Sequence, residues 1–233
     1  MFPYFYFDPT MIILLPGILL ALYAQYKVKS TYFHYTRVTA SSGVSGAEVA
    51  RKILNSQGLD DTKVEMIRGE LSDHYDPRTN TVRLSPAVYQ GNSLSSLGIA
   101  AHETGHAVQH ATGYLPLGIR NSLVPIVNFS SHLAFPLFFI GLLFSFPGLL
   151  RVGIYLFAAV VLFQLITLPV EFNASSRALA MLQNQGFLES SEVKGTRAVL
   201  SSAAWTYVAA ALVGLLNLLR LLVLSGAFRR RND

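Results

Sequence analysis

Apolar residues fall along this chain in two rhythms. Four runs, at about 9–26, 122–146, 149–170 and 203–224, are apolar almost without interruption. Roughly 20 residues carry a helix across the hydrocarbon core, so the pattern predicts four membrane helices. Only SFPGLLR marks the junction of the second and third runs, which predicts a tight hairpin. Between the first and second runs the rhythm shortens. SGAEVARKILNSQG predicts a helix marked at both ends: Ser45 and Glu48 have capping-box spacing, Ala50, Ile53 and Leu54 give an apolar face, and Gly58 follows the last turn. TKVEMIRG and TVRLS predict two short strands around the turn-rich LSDHYDPRTN. LGIAAHETGHAVQHA predicts another helix, with Ser95 and Ser96 as candidate N-caps.

These elements together predict a mainly α, polytopic membrane protein. It would have about four transmembrane helices, a small α+β insert (helix plus β-hairpin) and a zincin-type HExxH helix. The expected parts are an N-terminal transmembrane anchor (1–26), an α+β region with the HExxH helix (27–120), a transmembrane hairpin (121–170), a helix and loop carrying Glu171 (171–202), and a C-terminal membrane helix with a basic tail (203–233). The start, MFPYFYFD, lacks the basic n-region of a cleaved signal peptide, so a retained anchor is expected. Its aromatics, with Tyr23, Tyr26, Tyr32 and Tyr35 at the other end of the run, resemble two interfacial belts.

Composition agrees with the pattern. The chain is 52% hydrophobic and only 13% charged, about half the charge of a soluble domain. With no cysteine, disulfides and thiolate metal sites are excluded, and any metal must be held by His, Asp and Glu. The net charge of +5 matters through its placement. Ten Lys and Arg residues lie from Lys27 to Arg120, against Arg151 alone near the hairpin. That asymmetry puts the insert in the cytoplasm and the N-terminus outside, and points to membrane topology rather than to nucleic acid. Arg229, Arg230 and Arg231 oppose this assignment if the fourth run spans fully, and Asn217 and Arg220 within it leave room for an incomplete crossing.

Candidate chemistry centres on HETGH. Residues four apart on a helix are separated by about 400°, so His102 and His106 share one face and can grip one ion. Zinc lowers the pKa of water from about 15.7 to about 7, and Glu103, beside the pair, can take the remaining proton. The bland alternative is a buried polar pair satisfied by backbone or by each other. Small neighbours (Ala100, Ala101, Gly105, Ala107) and the cost of burying isolated ionisable groups favour the ion. Zinc needs a third protein ligand. It must lie on the same side of the bilayer, an even number of spans away. Glu171, at the inner end of the third run, meets that condition; otherwise it marks the end of a span.

HETGHAVQH, EFNASSRA and LSDHYDPRTNTVRLSP together resemble the YugP-like neutral zinc metallopeptidases, a bacterial membrane family more distantly similar to the HtpX and CAAX prenyl protease group. The resemblance covers most of the chain. It implies an integral membrane endopeptidase with one Zn2+ held by His102, His106 and Glu171, and with Glu103 as general base. In the HtpX group an Asp four residues after the glutamate ligand orients a histidine. Here that place is Ser175, and Asn173 stands where relatives often have Asp. The orienting role therefore falls to Asn173, Ser175 or another residue.

The segment DHYDP and the strand TVRLS allow two readings. One is a plain hairpin turn. In the other the strand's edge pairs with an extended peptide, and His74 or Tyr75 donates to the oxyanion. Arg177 could donate there too, or pair with a nearby acid. His110 continues the histidine face, but its rise of about 12 Å from His102 prevents both from reaching one ion. For His132, inside the second run, a hydrogen bond to Gln164 or Asn128 would suffice.

Three functions compete. The first is a zinc endopeptidase of a bacterial inner (plasma) membrane, multi-pass, its site on the cytoplasmic side, its partners the lipid bilayer and membrane-protein or peptide substrates; oligomeric state is not readable. The second is a non-catalytic zinc-containing scaffold or quality-control adaptor. The third is a small transporter lined by His132, Gln164, Asn217 and Arg220. Glu103 favours the enzyme, because a structural zinc site needs no base; the polar residues of the runs are too scattered for a transporter.

Overall fold

A computed structural model of the protein describes residues 8–226. The aromatic start before Asp8 and the Arg229–Arg231 tail lie outside the described residues. A short 3-10 turn (Pro9–Leu14) leads into α1 (Leu15–Thr36), followed by α2 (Gly46–Ser56), β1 (Lys63–Met66), β2 (His74–Asp76), β3 (Thr81–Leu84), α3 (Pro86–Tyr89), α4 (Leu94–Ala111), α5 (Leu115–Leu143), α6 (Pro147–Asn184) and α7 (Val193–Leu224). The fold is mainly helical with a small sheet, as the pattern predicts. Four helical stretches, Pro9–Thr36, Leu115–Leu143, Pro147–Asn184 and Val193–Leu224, are long and apolar enough to cross a membrane. α6 has 38 residues; at about 1.5 Å per residue it outruns a hydrocarbon core of about 30 Å.

The chain divides into two compact units. The first, within the described residues, comprises 8–23, 120–166 and 207–226. Its core is Ala134 and Phe138 of α5 against Ile154, Phe157 and Val161 of α6, with Leu221 of α7. Glycine lets these helices approach: a Cβ on Gly153 would stand 2.7 Å from the Phe138 nitrogen and 2.8 Å from the Ala134 oxygen, the small-residue contact common between membrane helices. The charge of Arg220 is met directly. Its Nη2 donates to Asp8 Oδ2 at 2.6 Å and its Nε to Thr10 Oγ1 at 3.1 Å. His132 is exposed and within 3.3 Å of the Ser131 hydroxyl, not bonded to Gln164 or Asn128, because its side chain points away from the core of this unit.

The second unit comprises residues 24–119 and 167–206. The apolar face of α2 (Val49, Ile53) packs with Leu97, Ala101 and Val108 of α4 and with Ala178 and Leu182 of α6. On its other flank α4 presents Ala100 and Ala107 to Val82 and Leu84 of β3. The capping box at Ser45 and Glu48 is formed, and Gly58 takes φ +69° after α2. α4 begins two to three residues earlier than expected: Ser93 is its N-cap and accepts from the Ser96 nitrogen. Ser95 and Ser96 are buried inside the helix, donating to the carbonyls of Tyr32 and Ala87. Tyr32 is buried beneath that contact, and the partly buried Tyr35 packs on this unit's core.

The sheet differs from the expected hairpin. Its order is β1-β3-β2, with β1 parallel to β3 and β2 antiparallel to β3. The hairpin joins β2 to β3 through DPRTN: Asp76 accepts from the Arg78 nitrogen and the Thr79 hydroxyl, and Asn80 adopts φ +49°. The strand TVRLS, expected at a peptide-pairing edge, is instead the central strand, both of its edges occupied. The free edges are those of β1 and β2.

Candidate metal centre

The ligand geometry follows from two helical pairs of the same spacing in the second unit. His102 and His106 lie one turn apart on α4; Glu171 and Ser175 lie one turn apart on α6. Glu171 Oε2 is 3.3 Å from His102 Nε2 and 3.6 Å from His106 Nε2. One ligand atom from each of the three residues falls within 4.8 Å of the other two. Four ligands about 2.0–2.1 Å from a tetrahedral zinc are separated by roughly 3.3–3.5 Å, so the donor set fits one such ion. Gly105 makes the approach of the helices possible, since a Cβ there would meet the Ala174 carbonyl oxygen at 2.9 Å.

The electrostatics also call for a cation. Burial by itself pushes the His106 imidazolium down. The hydrogen bond to Glu171 and the nearby carboxylate of Glu103 outweigh it and raise the His106 pKa above its ordinary value. A site that draws a proton onto a buried imidazole is one that a metal ion can occupy in its place. Glu103, at 9% exposure, and Glu171, at 2%, are both buried.

Both imidazoles turn Nε2 inward because Nδ1 is engaged elsewhere. The Ser175 hydroxyl, one of the candidates for the orienting place, lies 3.2 Å from His102 Nδ1. His106 Nδ1 is 3.0 Å from Gln109 Oε1, a partner the sequence reading missed. Its signal was available: an amide one turn after His106 on the same helix. Asn173 touches neither histidine; its Oδ1 accepts from Gln109 Nε2 at 2.9 Å and from Arg177 Nε at 2.8 Å. Arg177 also lies over the Tyr114 ring, 6.0 Å from its centroid.

The polar contacts of His74 and Tyr75 are made outside the Nε2–carboxylate cluster. The His74 ring nitrogen is 2.8 Å from the Ser72 carbonyl. Tyr75 donates to Asn80 Oδ1 at 3.0 Å and lies 2.8 Å from His110 Nδ1, which gives His110 a partner. Burial, then the Asp76 charge, push the Tyr75 phenol up, so it stays protonated and able to donate.

Comparison with known proteins agrees with this geometry. Residues 10–226 match the family described as "Putative neutral zinc metallopeptidase". The chain is 52% identical over 205 residues to "Putative membrane protease YugP" of Bacillus subtilis (strain 168), covering 88% of this chain and 91% of that one. No solved structure matches the chain. A membrane protein with four apolar helices and a His-His-Glu cluster able to hold one metal ion, this chain belongs to the neutral zinc metallopeptidase family.

Proposed function

We propose that the protein is a membrane-embedded zinc-dependent endopeptidase that hydrolyses peptide bonds in membrane proteins or peptides near the cytoplasmic face of a bacterial inner membrane. The observation that carries this reading is the convergence of His102, His106 and Glu171 with Glu103 buried on the same helix turn. His102, His106 and Glu171 hold the ion. When bound, zinc supplies Lewis acidity, lowering the pKa of water and polarising the scissile carbonyl. Glu103 accepts the proton of the attacking water and returns it to the leaving amine. Ser175 and Gln109 keep each histidine in the tautomer whose Nε2 lone pair faces inward. The outer edge of β2, an edge strand next to α4, can pair with an extended substrate. The relative's printed name, a membrane protease, and the cluster of Lys and Arg in 27–120 support the substrate class and the cytoplasmic side.

The alternative, a zinc-stabilised scaffold without activity, has no use for Glu103. Glu103→Gln separates the two. The purified variant is expected to keep one zinc per chain, measured by elemental analysis, while cleavage of a susceptible membrane substrate falls about 10²–10⁴-fold. Cleavage at the wild-type rate would remove Glu103 from the mechanism.

A further inference from the structure

Gln109 is the largest polar side chain among the fully buried residues, and every hydrogen-bonding group of its amide is used. Oε1 faces His106 Nδ1 at 3.0 Å; Nε2 faces the Val170 carbonyl and Asn173 Oδ1, each at 2.9 Å. Two groups of fixed polarity decide which way this relay runs. A backbone carbonyl can only accept, so the amide end facing Val170 must be the NH2. A guanidinium can only donate, so the atom of Asn173 that Arg177 Nε reaches must be oxygen, and it too can only accept from Gln109. Both constraints leave Oε1 for His106. That oxygen must receive a proton from Nδ1, so in the neutral imidazole, the form that binds a metal, the lone pair is on Nε2, the nitrogen that faces Glu171. The same amide grips the carbonyl of the residue immediately before Glu171.

We infer that Gln109 is a positioning residue that couples the two helices of the ligand set, selecting the tautomer of His106 and holding the backbone beside Glu171, with Arg177 setting the polarity of the relay through Asn173. Arg177 thereby acts from a distance on His106. This inference rests on the proposed zinc site.

The experiment uses the full chain purified in detergent. Zinc affinity is measured by chelator competition, and the tautomer of His106 is read by nitrogen NMR of labelled histidine. Loss of a partner that orients a ligand histidine weakens metal binding about 10–100-fold. Gln109→Met, of similar volume, is expected to fall in that range and to lose the Nδ1–H signature of His106. Arg177→Met, which touches no ligand, is expected to weaken zinc several-fold and to be non-additive with Gln109→Met. Asn173→Asp still accepts from both neighbours and is expected to bind like wild type, whereas Asn173→Leu is not. Unchanged affinity and an unchanged tautomer in Gln109→Met overturn the inference. Should Gln109→Met not fold, wild-type affinity in both Arg177→Met and Asn173→Leu overturns it equally. If the wild-type chain binds no zinc, it is the metal site itself that falls.

Discussion

The two units treat charge in opposite ways. In the first, the cation on α7 is neutralised outright: Arg220 meets Asp8 across 212 positions of sequence, with Thr10 completing the set. In the second, two carboxylates and the imidazole of His106 are buried beside the half-buried His102 on α4 and α6, and the acids raise the pKa of His106 instead of discharging it. A stability device is closed in on itself. A binding site keeps an unmet demand, here for a cation, and surrounds it with groups that hold its shape.

That contrast can be broken at several points. The largest effect is expected from Glu171→Ala, which removes the acid on which both Nε2 atoms converge. Zinc content of the purified variant should fall from one per chain to background, and full occupancy would strike Glu171 from the ligand set. Gly105→Val comes next. Its new side chain collides with the Ala174 carbonyl, and overpacking of this kind costs about 1–3 kcal/mol. Zinc affinity should drop roughly tenfold or more by that measure, with a lower thermal midpoint; an unchanged affinity would show that the helices have slack.

The smallest effect is expected in the other unit. Thr10, then Arg220, hold the Asp8 carboxyl at about 2, below its ordinary 3.8. A carboxylate with a depressed folded pKa stabilises above its unfolded pKa and loses that contribution as pH falls through the folded one. Asp8→Asn should therefore lower the thermal midpoint slightly at pH 7, with the difference fading between about pH 4 and pH 2. The Asp8 side chain keeps 32% of its exposure, so solvent screens part of the effect and keeps it small. Zinc affinity should not change. If Asp8→Asn weakened zinc as much as Gly105→Val, the division of labour between the units would be wrong.

How much was legible depends on the range of the interaction. The capping box of α2, the two strands of Lys63–Met66 and Thr81–Leu84, and the four long apolar helices are written in neighbouring residues and survive in the structure. Glu171 was reachable as a candidate because membrane parity constrains where a distant acid can return. The sheet order was not: β1 pairs in parallel with β3 across an intervening strand, and no local pattern encodes which of two edges a strand takes. Ser93 rather than Ser95 caps α4 because the buried carbonyls of Tyr32 and Ala87 claim the later serines. Gln109 was hidden for a similar reason, since both of its distant partners come from α6.

The sequence by itself determined the membrane class, the His-Glu-His face of α4 and the acid two spans later, because helix periodicity and hydropathy are local or additive along the chain. Only the tertiary structure decided that Glu171 Oε2 comes within 3.3–3.6 Å of both Nε2 atoms and that Ser175 and Gln109 lie within 3.0–3.2 Å of their Nδ1 atoms. Those facts depend on how closely two helices pack at Gly105 and Ala174, a distance set by side chains far apart in sequence.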